Sequence, residues 1–368
     1  MHFPRLLGAA GALALVLGAP LRAQGPGGLL PTPQDTPNRQ GTRGANFLHL
    51  NVGARMGAMA GAVASSVKGP VAWFVNPAGA ATSESFSFAA GRQNLYADLG
   101  LAQSYAAISM PTLGGVLGVH FNTLSSGDIL RTTEANPFGE RLGGTNFQWT
   151  STVIGAGYAK RLTDRLQVGA QVKFIGEGIP DAATKWVAAD VGTQFNTGLY
   201  GLTVGGSISN VGTVGKANGA LLTRVVSTTD RTNFQENRRV SFYTTGVELP
   251  VEFRLSIASD LLGSANSLLG KGSGNNTLNL EVAVNEATDF STQYAIAAEY
   301  GYKNLLFVRG GQRLYNDDRN RGTTNPVGLS GGFGLRLPVK GRDVRFDYSY
   351  ESAGALQNIQ IFSFEVGR

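Results

Sequence analysis

Residues 165–178 read RLQVGAQVKFIGEG. Leu166, Val168, Ala170, Val172 and Phe174 fall on one side of a two-residue period, and Gln167, Gly169, Gln171 and Lys173 on the other. Side chains of a strand alternate between faces, so this stretch puts one face in an apolar medium and the other in a polar one. The same alternation sets Leu278, Leu280, Val282 and Val284 against Asn279, Glu281 and Asn285. It also sets Tyr294, Ile296, Ala298, Tyr300 and Tyr302 against Gln293 and Glu299, with tyrosines near both ends as an interfacial girdle places them. Leu329, Phe333, Leu335 and Leu337, then Val344, Phe346, Tyr348 and Tyr350, repeat the apolar face, while Arg336, Arg345, Asp347 and Glu351 lie opposite.

Working outward, similar segments fall at 84–92, 101–110, 113–124, 147–160, 165–178, 186–197, 201–211, 249–260, 276–287, 292–302, 304–315, 328–338, 342–351 and 357–366. A soluble sandwich also alternates, so the connections must discriminate. With a leading segment that starts on the periplasmic side, odd-numbered connections face outward. The longest gaps, 125–146, 212–248 and 316–327, all follow odd strands, and the tightest turns all follow even ones, as outer-membrane barrels require. Segment 261–275 is the exception. An even strand count leaves no free edge, which hydrocarbon surroundings demand. The expected fold is therefore all-β: a transmembrane antiparallel β-barrel of about fourteen strands over 83–368. On this alternation Lys173, Arg254, Arg309, Arg313, Arg336 and Arg345 face inward with Asp190, Glu252, Glu281, Glu299 and Asp347. Mixed signs predict a lumen laced by ion pairs rather than an ion-selective pore.

Composition agrees. Charged residues are 15%, against roughly 25% in a typical soluble domain, and glycine is unusually frequent, with 51 residues. No apolar run after the first residues is long enough for a spanning helix. The chain lacks cysteine, which excludes disulfides, thiolate nucleophiles and cysteine-ligated metals. A net charge of +6 is too mild to indicate nucleic acid as a partner. Residues 1–23, with Arg5, an apolar run from Leu6 to Leu17 and a cleavage zone ending at Ala23, read as a signal peptide. Residues 24–44 have the composition of a disordered mature N-terminus.

Between them and the strands lies 45–82, whose centre is NVGARMGAMAGAVASSVKGPVAWFVNPAGAA at 51–81. It has neither a strand's alternation nor a clean helical face. Small residues, among them Gly53, Gly57 and Gly61, let backbone approach backbone, and Asn76-Pro77-Ala78-Gly79 closes it with a rigid turn. An ordinary loop leading into a soluble domain has the same local composition; beside the strands it reads as a hatch plugging the barrel. Gly53, Arg55, Gly57, Gly61, Asn76, Pro77 and Gly79 are the candidate gating residues. Gly114, Gly115 and Gly118 mark the third strand as a candidate place for the wall to kink open.

Catalytic machinery is not evident, and no enzyme activity, cofactor or metal is expected. His49 and His120 stand alone, without a carboxylate at ligand spacing. Gly270-Lys271 lacks the remainder of a phosphate-binding loop, and no Gly-x-Ser-x-Gly elbow occurs. Asp317-Asp318 with Asn316 and Asn320 reads as a solvated outer loop before it reads as a calcium site.

Phe47 to Ala58 (FLHLNVGARMGA) followed by Asn76-Pro77-Ala78-Gly79 resembles the opening of the PorV/PorQ family, a branch of the FadL-type outer-membrane barrels. Lys160 to Leu166 (KRLTDRL), Ile208 to Gly212 (ISNVG), Leu249 to Arg254 (LPVEFR) and Phe307 to Gly311 (FVRGG) look like that family in its order. The resemblance covers nearly the whole mature chain. It implies a fourteen-stranded barrel with an N-terminal hatch in the bacterial outer membrane, surrounded by its lipid. For PorV-type members it implies a type IX secretion role, binding secretion-system proteins or cargo at the surface. For FadL relatives it implies carriage of hydrophobic small molecules through a lateral gap. The chain departs from the pattern at Ser65-Ser66-Val67-Lys68, where the family carries acidic residues, and in lacking a terminal aromatic after Phe362 and Phe364.

Overall fold

The computed structural model describes residues 41–367 apart from 97–98, 113, 133–135, 140–144, 230–234, 264–265, 271–274 and 316–326. The expected signal peptide, most of 24–44 and the Asp317-Asp318 pair lie outside the described residues.

Fourteen strands form the wall: β1 Ser87–Leu95, β2 Leu101–Thr112, β3 Gly115–Ser125, β4 Thr150–Arg161, β5 Leu166–Ile179, β6 Ala182–Asn196, β7 Leu202–Gly212, β8 Glu252–Leu262, β9 Asn276–Ala287, β10 Phe290–Tyr302, β11 Leu306–Tyr315, β12 Val327–Val339, β13 Arg342–Ala353 and β14 Asn358–Gly367. Each pairs antiparallel with the next, and β1 closes on β14 through Phe88↔Val366 to Leu95↔Ile359. Closure leaves no strand with a free edge, so the wall's backbone groups are satisfied without water.

The barrel is apolar outside and polar inside. On β5, Val172 and Phe174 are 48% and 63% exposed, while Gln171 and Lys173 between them are buried. Phe121, Ile154, Ile257, Ile296, Val308 and Phe333 continue the exposed apolar surface around the wall, where a bilayer covers what water would penalise. The turns after β2, β4, β10 and β12 are short; at the other end lie 126–149 and 213–251, which carry small hairpins at 129–130 with 146–147 and 223–229 with 235–241. Connections at this loop end are not all long, since β5–β6 and β9–β10 turn within two residues.

The hatch fills the lumen, and it enters from the loop end. Gly44 N–H donates to the Glu248 carbonyl at 3.0 Å, Ala45 N–H to Glu177 Oε1 at 3.3 Å, and Phe47 packs with Val153, Ile175, Trp186 and Leu249 near the outer ends of their strands. The chain then descends through 3₁₀ turns at Asn46–His49, Pro70–Phe74 and Pro77–Thr82 and the short helix α1, Ala54–Ala58, to leave at the turn end as β1. The first described residues of this segment lie at the loop end, whereas the expectation had it begin at the end with the short turns.

Inward-facing glycines give the hatch room. A β-carbon on Gly169 would lie 2.5 Å from the Pro77 carbonyl carbon, one on Gly311 2.8 Å from that of Met59, and one on Gly332 2.8 Å from the Ala58 methyl. At Gly192 it would overlap Asn76 Oδ1, at Gly205 the Ala64 carbonyl, and at Gly118 the ring of Trp73. Overpacking so tight an interface costs about 1–3 kcal/mol per site. Gly192→Leu should therefore lower the thermal unfolding midpoint in detergent and expose the hatch to protease. Gly176→Ala, where nothing lies within 4 Å, should leave both unchanged.

Candidate functional site

The site is the hatch together with the lumen on either side of it. Its second half is bound by wall side chains that reach its backbone. Gln171 Nε2 donates to the Trp73 carbonyl at 2.7 Å, Gln194 Nε2 to those of Ala64 and Val67 at 3.0 Å, and Ser207 Oγ to that of Val75 at 2.9 Å. Asn76, fully buried, ties this half together: Nδ2 donates to the carbonyls of Ala64 and Thr193 at 2.9 Å, and Oδ1 accepts from Ala78 N–H as a helix cap. Trp73 is likewise fully buried and donates Nε1–H to Ser109 Oγ at 2.9 Å. Pro77 starts the last 3₁₀ turn, and Gly79 packs where a side chain would strike the Val67 carbonyl.

The first half is held by charge. Arg55 sends Nε to Glu299 Oε2 at 2.9 Å and Nη2 to Glu299 Oε1 at 3.2 Å, a bidentate pair, with a further bond to Ser66 Oγ. The Glu299 carboxylate offsets the cost of burying the Arg55 guanidinium. Glu299 also accepts from Arg309, which pairs with Asp347. Higher up, Asn51 Nδ2 donates to Glu351 Oε2 at 3.0 Å, Arg313 pairs with Glu351 at 3.3 Å, and Arg313 Nε donates to the Ala60 carbonyl at 3.1 Å. Gly53 and Gly61, at φ 95° and 86°, bracket this half in conformations that side chains disfavour. Gly57 lies against Ile361 and Ser349.

Further expected inward charges form pairs, Lys173 with Asp190 at 2.8 Å, Arg254 with Glu252 at 2.7 Å, and Arg336 with Asp343, while Arg345 lies over the Phe307 ring. Glu281 instead accepts from Ser65 N–H, Ser66 Oγ and Ser256 Oγ. The sequence reading of His49 as solitary is corrected. Its Nε2 lies 3.1 Å from Asp289 Oδ1 and its ring packs edge-on to Phe290, because the β9–β10 turn brings a carboxylate from far along the chain. His120 is buried against Phe74. Gly114, Gly115 and Gly118 do not meet as one opening. Gly114 makes the turn at φ 71°, Gly115 packs on Tyr158 and Gly118 receives Trp73, while β3 is paired to β2 and β4 along its length. The wall has no gap there.

Two cavities flank the hatch. One of about 410 Å³ lies towards the loop end, lined by Leu50, Tyr96, Phe290, Leu356 and Ile359 along with His49, Asn51, Arg313 and Glu351. The other, of about 660 Å³, lies towards the turn end and is strongly polar, with Arg55, Lys68, Arg161, Glu299, Asp343 and Arg345 on its walls. Of the two, the first exposes the larger share of apolar surface, with Glu252, Asn285, Gln293 and Ser352 completing its polar lining. It was not legible in sequence, because its lining comes from the hatch, the β1–β2 connection, the seven strands β8 to β14 and the turn between the last two.

Removing Lys173 tests the lumen's electrostatics. Lys173→Met leaves Asp190 buried with Gln171 and the Asn210 amide but no cation, and should cost about 3–5 kcal/mol in detergent unfolding; the double variant Lys173→Met/Asp190→Leu should recover much of it.

No family model matches the chain, and no curated protein matches it by sequence. By structure it is similar to the Ralstonia pickettii toluene transporter TbuX, with a TM-score of 0.50 and 11% identity over 86% of this chain and 97% of that one. The Pseudomonas putida toluene transporter TodX aligns with a TM-score of 0.49 and 12% identity, over 86% and 97% of the two chains. At such identity the likeness is one of fold, a closed antiparallel barrel of fourteen strands.

Proposed function

We propose that this barrel carries small, neutral hydrophobic molecules across the outer membrane, and that the loop-end cavity is where they are first held. The observation that carries the reading is the state of that cavity's polar groups. Arg313 is engaged by Glu351 and the Ala60 carbonyl, Asn51 by Glu351, His49 by Asp289, and the neighbouring Arg254 by Glu252. Each is spent on a protein partner, so an ionic guest would have to break a pair before it gained one. What remains for a ligand is the apolar surface of Leu50, Tyr96, Phe290, Leu356 and Ile359, which rewards burial of apolar area, beside the uncharged amides of Asn285 and Gln293. A volume of about 410 Å³ lies at the small end of ligand pockets and suits one or two rings rather than a long chain.

The resemblance to PorV/PorQ-type barrels is supported in its coarser part, a FadL-like barrel; nothing in the lumen or the comparisons favours a role in type IX secretion. The shared fold with a toluene transporter leaves the cargo open, since unlike functions share folds. The cavity chemistry points in the same direction independently.

The test is binding and uptake with purified protein in detergent and in vesicles. A neutral aromatic such as naphthalene should bind, and Ala353→Trp, which fills the cavity from its wall, should weaken binding by about tenfold or more. Equally tight binding of an anionic long-chain fatty acid, or no effect of Ala353→Trp, would overturn the reading.

A further inference from the structure

The charged groups of the loop-end cavity are spent on protein partners, but some of its neutral polar groups are not. Among the described residues, the amides of Asn285 and Gln293 and the hydroxyls of Tyr96 and Ser352 line the cavity without a hydrogen-bond partner in the protein. Such groups beside apolar surface cost free energy unless water or a guest satisfies them. Around Asn285 the fold brings further polar atoms together. A β-carbon on Gly61 would lie 3.3 Å from Asn51 Oδ1, 3.5 Å from Arg313 Nη2 and 3.8 Å from Asn285 Nδ2. With only hydrogen there, polar atoms from the hatch, β9 and β11 face one small volume, and all three residues line the cavity.

The hydrogen-bonding sense of this niche is set by its neighbours. Asn51 gives Nδ2 to Glu351 Oε2 at 3.0 Å, which leaves Oδ1 as an acceptor for the niche. Arg313 sends Nε to the Ala60 carbonyl and Nη2 towards Glu351 at 3.3 Å, and the second hydrogen of Nη2 is left over. We infer that Asn51, Asn285 and Arg313 form a subsite for one neutral hydroxyl group, so that the molecule held in the loop-end cavity is a ring compound bearing a hydroxyl rather than a bare hydrocarbon. This names the substrate class of the carrier reading above and rests on it. A hydroxyl donates to Asn51 Oδ1 while its lone pairs accept from Asn285 Nδ2 and Arg313 Nη2. A ketone or ether leaves the Asn51 acceptor unmet, and a carboxylate sets its charge against that acceptor and beside Glu351. Gln293, opposite Asn285 across β9 and β10, places a second amide alongside the first.

Naphthalene and 2-naphthol separate the niche from the apolar pocket. Water solvates 2-naphthol better, so burial of apolar area alone ranks naphthalene as the tighter ligand. A site built to hydrogen-bond a hydroxyl reverses that order. With purified protein in detergent, 2-naphthol should bind about tenfold tighter than naphthalene. Asn285→Leu, of similar volume, should remove the preference and leave both the naphthalene affinity and the unfolding midpoint unchanged, because Asn285 has no protein bond to lose. Asn285→Ala makes the same comparison with less bulk.

A wild-type barrel that binds 2-naphthol no tighter than naphthalene overturns the niche. So does a preference that survives both Asn285 variants, or naphthalene binding lost along with it in both. Naphthalene bound and admitted into vesicles then keeps the carrier reading standing. Conversely, Asn285-dependent binding of 2-naphthol by a barrel that admits neither compound into vesicles overturns the carrier reading and leaves the niche. Binding of neither compound overturns both.

Discussion

The structure depends on the closeness with which an irregular peptide segment lies against the inside of a closed sheet. A chain without regular hydrogen bonding of its own is costly to bury unless each polar backbone group finds a partner. Here the wall supplies those partners from inward-pointing Gln171, Gln194 and Ser207, and Asn76 joins the segment to itself and to Thr193. Side chains can reach the hatch backbone only if the wall does not hold it off. Gly169, Gly192, Gly205, Gly311 and Gly332 remove the β-carbons that would do so. The abundance of glycine, unhelpful to strands considered singly, has its reason in this interface.

The lumen's charges follow from the same confinement. A buried charge without a partner is strongly destabilising, and the strands place opposite charges on neighbouring inward positions, as with Lys173 and Asp190 across β5 and β6. The Arg55–Glu299–Arg309–Asp347 chain extends the pairing from hatch to wall, and the Glu281 carboxylate does the same for Ser65 and Ser66.

What the chain's own pattern determined is the wall. Period-two alternation is local, and hydrocarbon outside with polar groups inside imposes it on every strand, so the fourteen segments and the inward set from Lys173 to Asp347 were readable one strand at a time. That 45–82 lies against the wall was readable for a related reason: a Gly/Ala-rich stretch with no face of its own needs walls from elsewhere. Tertiary structure alone decided what touches what across the lumen. His49 meets Asp289, Gly118 receives Trp73, and Gly192 faces Asn76, each through a contact between residues remote in sequence. It also decided that the hatch runs from loop end to turn end, because Arg43 and Gly44 attach to Glu248 on a connection no local signal links to them. Alternation tells a side chain which face it takes, but closing the barrel chooses its opposite number.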